Sequence, residues 1–325
     1  SYPFHPTLHG CHPPRLLREL AARGLPYAHD AAVLYRGGPR DEHLAQVARV
    51  EQARMKVCLR LRDEVDVLIC NLTILDRLSH FWWGETEPDS GVDDPDTALW
   101  RGYEIVDGFL GRVLDDLGPD DHLLVFSEIG FGPLREYVSL DDVLTASGLQ
   151  RRRPDGGIDY GATLAYEAVQ GSHGINLNLA RRHPGAPVSP ADEAGVLAEV
   201  AEALRAAVHP VTGAPLIASV TPGHRFYSGS RSWAAPDLVV EPHDEAYLPL
   251  GEPRWAERVH RRRQTGWHRR ESFWAAHGPA FRTGRGGTAE CADVAHTLAS
   301  LLGVAPPPYP GRPLAQSSAY DGAAS

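Results

Sequence analysis

The sequence predicts an α/β fold in which helices cover the faces of a layered sheet. Short apolar runs that are typical of buried strands alternate along the chain with helical patterns of about ten or more residues. Connections of that length join parallel strands by right-handed crossovers. The 325 residues, of which 42% are hydrophobic, suffice for a sizeable core. We find no repeat and no convincing linker, so a single domain is predicted.

The first half of the chain is predicted to contain three helices and two strands. The longest of these helices has Leu44, Val47 and Leu59 among the apolar residues at helical spacing, and the first strand is the nearly continuous apolar run DVLICNLT. Gly118 and Pro119 end the third helix. The predicted elements are helices 15–23, 42–62 and 100–117 and strands 65–73 and 122–127.

The second half continues the alternation with weaker strands. These are strands 162–169, 175–179, 238–241 and 272–276 and helices 192–208 and 294–302. The predicted organisation is an irregular N-terminal segment with a short helix over 1–40, the α/β domain over 41–315, and a C-terminal tail over 316–325.

Charge and cysteine content exclude several classes of partner. Forty-two acidic residues against 32 basic ones give a net charge of −10, which disfavours a nucleic-acid groove or a polybasic membrane surface. No stretch approaches the roughly 18 apolar residues of a membrane span. None of the cysteines forms a CxxC motif, and a buried free thiol at Cys70 would be ordinary. We therefore expect a cytoplasmic protein without membrane contact. The cysteines are Cys11, Cys58, Cys70 and Cys291.

Polar residues that could bind a metal follow or precede predicted strands. Asp76 and His80 stand at i and i+4, where one helical turn places both on the same face. His268 lies in a polar stretch before strand 272–276, and Glu128 follows strand 122–127. Two imidazoles and one carboxylate brought together by separate loops would form a divalent-metal site. Taken alone, Asp76 and His80 also fit a surface ion pair or a helix cap.

Several stretches occur in an order that resembles a known family. They are residues 66–83, 103–117, LLVFSEIGFGP, APDLVV, WHRRESFWAAHGP and ADVAHTLASLLGVAPPPYPGRPL. In that order they resemble the type I phosphodiesterase/nucleotide pyrophosphatase family of the alkaline phosphatase superfamily, over residues 41–315. The resemblance implies a three-layer α/β/α sandwich with a mostly parallel central sheet. It also implies two-metal hydrolysis of phosphate mono- or diesters through a Thr or Ser nucleophile.

The resemblance implies one intact half of the two-metal site and one degenerate half. The ligands of one metal correspond to Asp76, His80 and His268, and the implied ion is zinc, with manganese or iron as alternatives. The second half in the family includes a Ser-Asp-His-Gly turn, which here is Ser-Glu-Ile-Gly at 127–130. Ile129 cannot bind a metal. No segment before Asp66 is predicted to be the strand that carries the nucleophile.

These residues leave three interpretations of the chain open. The first is a hydrolase with a single metal, acting on a small phosphorylated molecule. Glu128 would then be general base or substrate contact, unless it only caps a turn, and Trp82, Trp83 and Arg263 would contact substrate. The second is a non-catalytic pseudoenzyme that serves as a binding or accessory subunit. The third is a fragment whose nucleophile segment is encoded elsewhere or was removed, so that an oligomer or a partner chain would complete the sheet.

Overall fold

The computed structural model describes residues 11–25, 27, 35, 37–252 and 264–314. The fold is mixed α/β, as the sequence predicts. Along the chain the elements are α1 (Leu16–Ala22), α2 (Arg40–Leu61), α3 (Ile74–Trp82), α4 (Ala98–Asp115), β1 (Leu123–Phe126), β2 (Gly130–Pro133), β3 (Glu136–Ser139), α5 (Leu140–Ala146), β4 (Ala165–Glu167), β5 (Gly174–Leu177), α6 (Glu193–Arg205), β6 (Ile217–Pro222), β7 (Leu238–Pro242), β8 (Tyr247–Leu250), β9 (Gly266–Arg269), β10 (Trp274–His277) and α7 (Cys291–Leu301).

The residues of the chain pack into two compact units. Unit 1 consists of Ser1–Val33, Gly38–Phe131 and His268–Ser325, and unit 2 consists of Leu34–Gly37 and Gly132–Trp267. In the part of the chain that is described, no helix combines the length and apolarity that crossing a membrane requires.

Unit 1 is built on three mutually packed helices, α2, α3 and α4. Their contact faces bury Met55, Ile74, Leu78 and Phe109, each at most 5% exposed. Gly102 allows α4 to approach α3 closely, because a Cβ atom at this position would lie 2.8 Å from the Leu78 Cδ1 atom. Strands β1 and β10 form an antiparallel pair in the same unit. The packed helices thus fix the position of α3.

Unit 2 contains a four-stranded antiparallel sheet in the order β4-β5-β7-β6. Leu140 and Leu144 of α5 and Leu204 of α6 are fully buried in the core that also includes Leu177 and Val240 of the sheet. Strands β3 and β8 form a separate parallel pair. Arg182 and Asp237 form an ion pair in this unit, with nitrogen–oxygen distances of 2.5 and 2.9 Å.

The predicted buried strand at 65–73 is wrong. These residues belong to no strand and lead from the end of α2 to the start of α3. Their apolar side chains are exposed, with Val65 at 49% and Ile69 at 74% of full exposure. An apolar run becomes a strand only where a neighbouring strand satisfies its backbone groups, and none of the described strands pairs with this one.

The other predicted elements lie close to observed ones, but some strands were not predicted. Residues 266–269 were expected to be a loop before the last strand, yet they form β9, which pairs with β2. The sequence of β9 is Gly-Trp-His-Arg, and such a polar run has no apolar signal of burial. Strand β9 carries His268, one of the predicted metal ligands.

Candidate metal centre

A buried glutamate from α2 fixes the start of α3. Thr73, the N-cap residue, makes no capping bond with its own side chain. Instead the Oε2 atom of Glu51 accepts the backbone N–H groups of Thr73 and Ile74, both at 2.6 Å. Glu51 is 1% exposed and forms an ion pair of 3.1 Å with Arg54. A carboxylate at a helix N-terminus satisfies backbone donors that would otherwise lack partners.

Three potential ligands converge at α3 and β9. The Nε2 atom of His80 lies 3.6 Å from the Oδ1 atom of Asp76, because positions i and i+4 share a helix face. The Nε2 atom of His268 lies 3.0 Å from the same oxygen. One ligand atom from each of the three residues lies within 4.8 Å of the other two. All three residues belong to unit 1.

The separations of these atoms fit the size of a zinc site. Zinc binds imidazole nitrogen and carboxylate oxygen at about 2.0–2.2 Å, so ligand atoms of a tetrahedral site lie about 3.3 Å apart. The observed separations of 3.0 and 3.6 Å from the Asp76 oxygen lie on either side of that value. The side chains of Asp76, His80 and His268 are 24%, 12% and 38% exposed, so solvent can reach the cluster.

The Asp76 carboxylate is held in its charged form. Burial acts to raise the pKa of Asp76, but the hydrogen bond with His268 and the electrostatic interactions with His80 and Arg77 lower that pKa below its ordinary value. The Nη1 atom of Arg77 contacts the Oδ2 atom of Asp76. One carboxylate oxygen is therefore engaged by the guanidinium, and the other faces the two imidazoles.

Phe131, which the sequence did not single out, packs against both imidazole rings. Its ring lies 5.0 Å from His80 and 5.0 Å from His268, edge-on to each. Trp83 stacks on Phe131 at 6.2 Å and 23°. These aromatic contacts restrict the rotation of the two imidazoles. The sequence feature that could have identified Phe131 is its position two residues after Ile129, in the turn that resembles the second half-site.

Glu128 lies outside the cluster. It is exposed in the loop between β1 and β2, and the ligand set found among the described residues does not include it. The loop itself is well anchored, because the backbone oxygen of Ile129 accepts the hydroxyls of Ser127 at 2.6 Å and Ser272 at 2.9 Å. The backbone of this turn is therefore fixed, while the Glu128 side chain is exposed.

The three predicted substrate contacts have different outcomes. Trp82 is 3% exposed and donates its indole N–H to the Nδ1 atom of His43 at 3.0 Å, so it belongs to the helix packing and offers no surface to a ligand. Trp83 is half-buried beside Phe131, next to the imidazoles. Arg263 lies outside the described residues.

The donor set limits the chemistry of the site. Two imidazoles and one carboxylate suit zinc, manganese or iron, and three protein ligands leave coordination positions for water or substrate.

No protein-family model matches the chain, and no curated protein is significantly similar to it.

Proposed function

We propose that Asp76, His80 and His268 bind one divalent metal ion, zinc first, and that the protein is a metal-dependent hydrolase of phosphate esters. The observation that carries the proposal is the convergence of three ligand atoms of suitable type within 4.8 Å. The choice of phosphate esters rests on the family resemblance of the sequence. Manganese and iron are the alternative metals for the same ligands.

A zinc ion held by these residues would supply Lewis-acid activation of a phosphate oxygen and of water. The protein contributes the orientation of the ligands. Arg77 engages the Oδ2 atom of Asp76 and leaves Oδ1 for the ion, while the Phe131 ring packs roughly perpendicular to both imidazole rings. In this proposal Trp83 forms an apolar wall beside the site, and Glu128 serves as general base or substrate contact from the adjacent loop.

The remaining parts of the proposal rest on sequence patterns. They are membership of the type I phosphodiesterase/nucleotide pyrophosphatase family, a three-layer sandwich around a mostly parallel sheet, and a small phosphorylated substrate. A cytoplasmic location follows from the cysteine spacing. Completion of the sheet by an oligomer or partner chain is supported by the exposed apolar segment at 65–69.

A second candidate is a non-catalytic subunit that keeps the metal site. The observation that favours it is the degenerate second half-site, where Ile129 stands in the turn and the exposed Glu128 lies outside the ligand cluster. A two-metal reaction needs ligands for the second ion. Both candidate functions include a bound metal ion, but only the hydrolase converts a substrate.

The experiment measures zinc content and hydrolysis of bis-p-nitrophenyl phosphate and p-nitrophenyl phosphate on the same preparations. Asp76→Asn and His268→Gln should lose zinc and activity together. Asp107→Asn and His277→Gln, which change exposed residues of the same types in unit 1, should retain both. Zinc binding without hydrolysis of either ester would favour the non-catalytic subunit, and hydrolysis that survives the loss of zinc would exclude the metal mechanism.

A further inference from the structure

Two cysteines that are distant in the sequence lie in contact in unit 1. Cys58 is near the end of α2, and Cys70 is in the exposed segment that leads to α3. Their Sγ atoms are 2.8 Å apart, within about 0.8 Å of the disulfide bond length of about 2.05 Å. Both are free thiols in the structure. Sulfur atoms so close can form a bond after a small side-chain movement.

We propose that Cys58 and Cys70 form a redox site that exchanges with a low-molecular-weight disulfide of the glutathione class. In the first step the Cys58 thiolate attacks one sulfur of the external disulfide, forms a mixed disulfide and releases one thiol. In the second step Cys70 attacks the Cys58 sulfur, closes the Cys58–Cys70 bond and releases the second thiol. Two protein thiols are oxidised, the external disulfide is reduced to two thiols, and the two protons pass to them.

The surroundings assign different roles to the two sulfurs. The hydrogen bond between the thiols lowers the pKa of Cys58 and raises that of Cys70, while burial acts to raise both. Arg54 acts to lower and Glu51 acts to raise the pKa of both thiols, so the hydrogen bond between the two sulfurs is what distinguishes them. Because the thiolate is the nucleophile, Cys58 attacks first and Cys70 resolves the mixed disulfide.

An external disulfide can reach the pair. Both cysteines are half-buried. The residues before Cys70 are exposed, with Leu68 at 41% and Ile69 at 74%, and none of the described strands covers them. Contact with small disulfides therefore requires no opening of the helix packing.

The bond would join two elements that already meet beside α3. Arg54, one turn before Cys58, donates from Nη1 to the backbone oxygen of Asn71 at 3.5 Å and to the Thr73 hydroxyl at 2.9 Å. Oxidation would add the Cys58–Cys70 disulfide bond to the hydrogen bonds that already join these two parts of the chain. The proposal does not depend on metal binding or on catalysis.

The test uses the full chain with Cys11→Ser and Cys291→Ser, equilibrated without air in mixtures of reduced and oxidised glutathione, then acid-quenched, alkylated and analysed by mass spectrometry. We expect the oxidised form to lose two hydrogen atoms in mass and to yield a tryptic species that joins residues 57–60 to residues 63–77. Circular dichroism of each variant checks that it is folded.

Single substitutions separate the roles of the thiols. Cys70→Ser should accumulate one glutathione on Cys58, because the resolving thiol is gone, whereas Cys58→Ser should leave Cys70 largely unmodified. Two outcomes would overturn the proposal: both thiols staying alkylatable in fully oxidised glutathione, or each cysteine of the folded chain carrying its own glutathione with no cross-linked species.

Discussion

Asp76 is the residue on which the candidate site depends, and its two oxygens have separate partners. Oδ1 faces the imidazoles of His80 and His268, whereas Oδ2 contacts the guanidinium of Arg77. Groups that orient a metal ligand change metal affinity without touching the ion. Arg77 is therefore a positioning residue in the proposed site.

Replacement of Arg77 should weaken metal binding without abolishing it. For Arg77→Met we expect the zinc dissociation constant to rise about 10–100-fold, because the carboxylate loses the partner that orients it. Competition with a chromophoric zinc chelator measures the constant. Arg112→Met, on the exposed side of α4, is the matched control and should bind zinc like the unaltered protein. Unchanged affinity in Arg77→Met would remove Arg77 from the site.

His43, which is not one of the candidate metal ligands, should make the free energy of unfolding depend on pH. Burial lowers the pKa of His43 to about 4, and its Nδ1 atom accepts the N–H group of Trp82. In the unfolded chain the pKa returns to about 6.5, so the unfolded state binds more protons between these values. The contribution of His43 to the free energy of unfolding should therefore fall by up to about 3 kcal/mol as pH drops from about 6.5 to about 4. Burial raises the pKa of Glu167 to about 7, which contributes in the opposite direction, so the His43 contribution is measured as a difference from His43→Gln.

Urea denaturation at several pH values, with EDTA present so that metal release does not contribute, measures this dependence. His43→Gln has no titrating ring, so the unaltered protein should lose stability relative to this variant as pH drops over the same range. Any contribution from Asp76, whose pKa is lowered in the folded state, is lost only as pH falls below its ordinary value of 3.8. Parallel curves for the two proteins would show that His43 is not the titrating group.

Among the elements, α3 depends most on a single buried contact. Glu51 accepts two backbone N–H groups at its start and is paired with Arg54. Glu51→Gln keeps the shape but removes the charge, leaving Arg54 without its carboxylate, so we expect a loss of about 2–4 kcal/mol in the free energy of unfolding. Glu104→Gln, at an exposed position of α4, should change the free energy of unfolding by less than about 0.5 kcal/mol. Equal stabilities for the two variants would contradict the capping role.

The sequence predicted what is local and missed what depends on distant partners. Asp76 and His80 lie on one helix face because their spacing alone determines it. The contact of Asp76 with His268 spans 192 positions, and it was indicated only by the placement of both residues next to predicted strands and by the family resemblance. The run at 65–73 looked like a buried strand because its residues are apolar, but a strand also needs a partner, and periodicity says nothing about partners.

In the whole molecule, the candidate ligands and the proposed redox pair belong to unit 1, and unit 2 has its own core. Stability and metal binding should therefore be separable by substitution. Asp237→Asn breaks the ion pair with Arg182 in unit 2, where the Asp237 side chain is 12% exposed, and should lower the free energy of unfolding by about 2–4 kcal/mol. Zinc content should stay unchanged. Loss of zinc from the folded variant would show that the site requires unit 2.

The most direct test of the metal centre is calorimetric titration of zinc into the EDTA-treated protein, with Asp76→Asn, His268→Gln and the exposed controls Asp107→Asn and His277→Gln measured in parallel. Three ligand atoms within 4.8 Å lead us to expect one tightly bound ion per chain. Both site variants should lose that binding, and both controls should keep it. Zinc binding that is absent from the unaltered protein, or equally tight in all four variants, would contradict a metal centre at Asp76, His80 and His268.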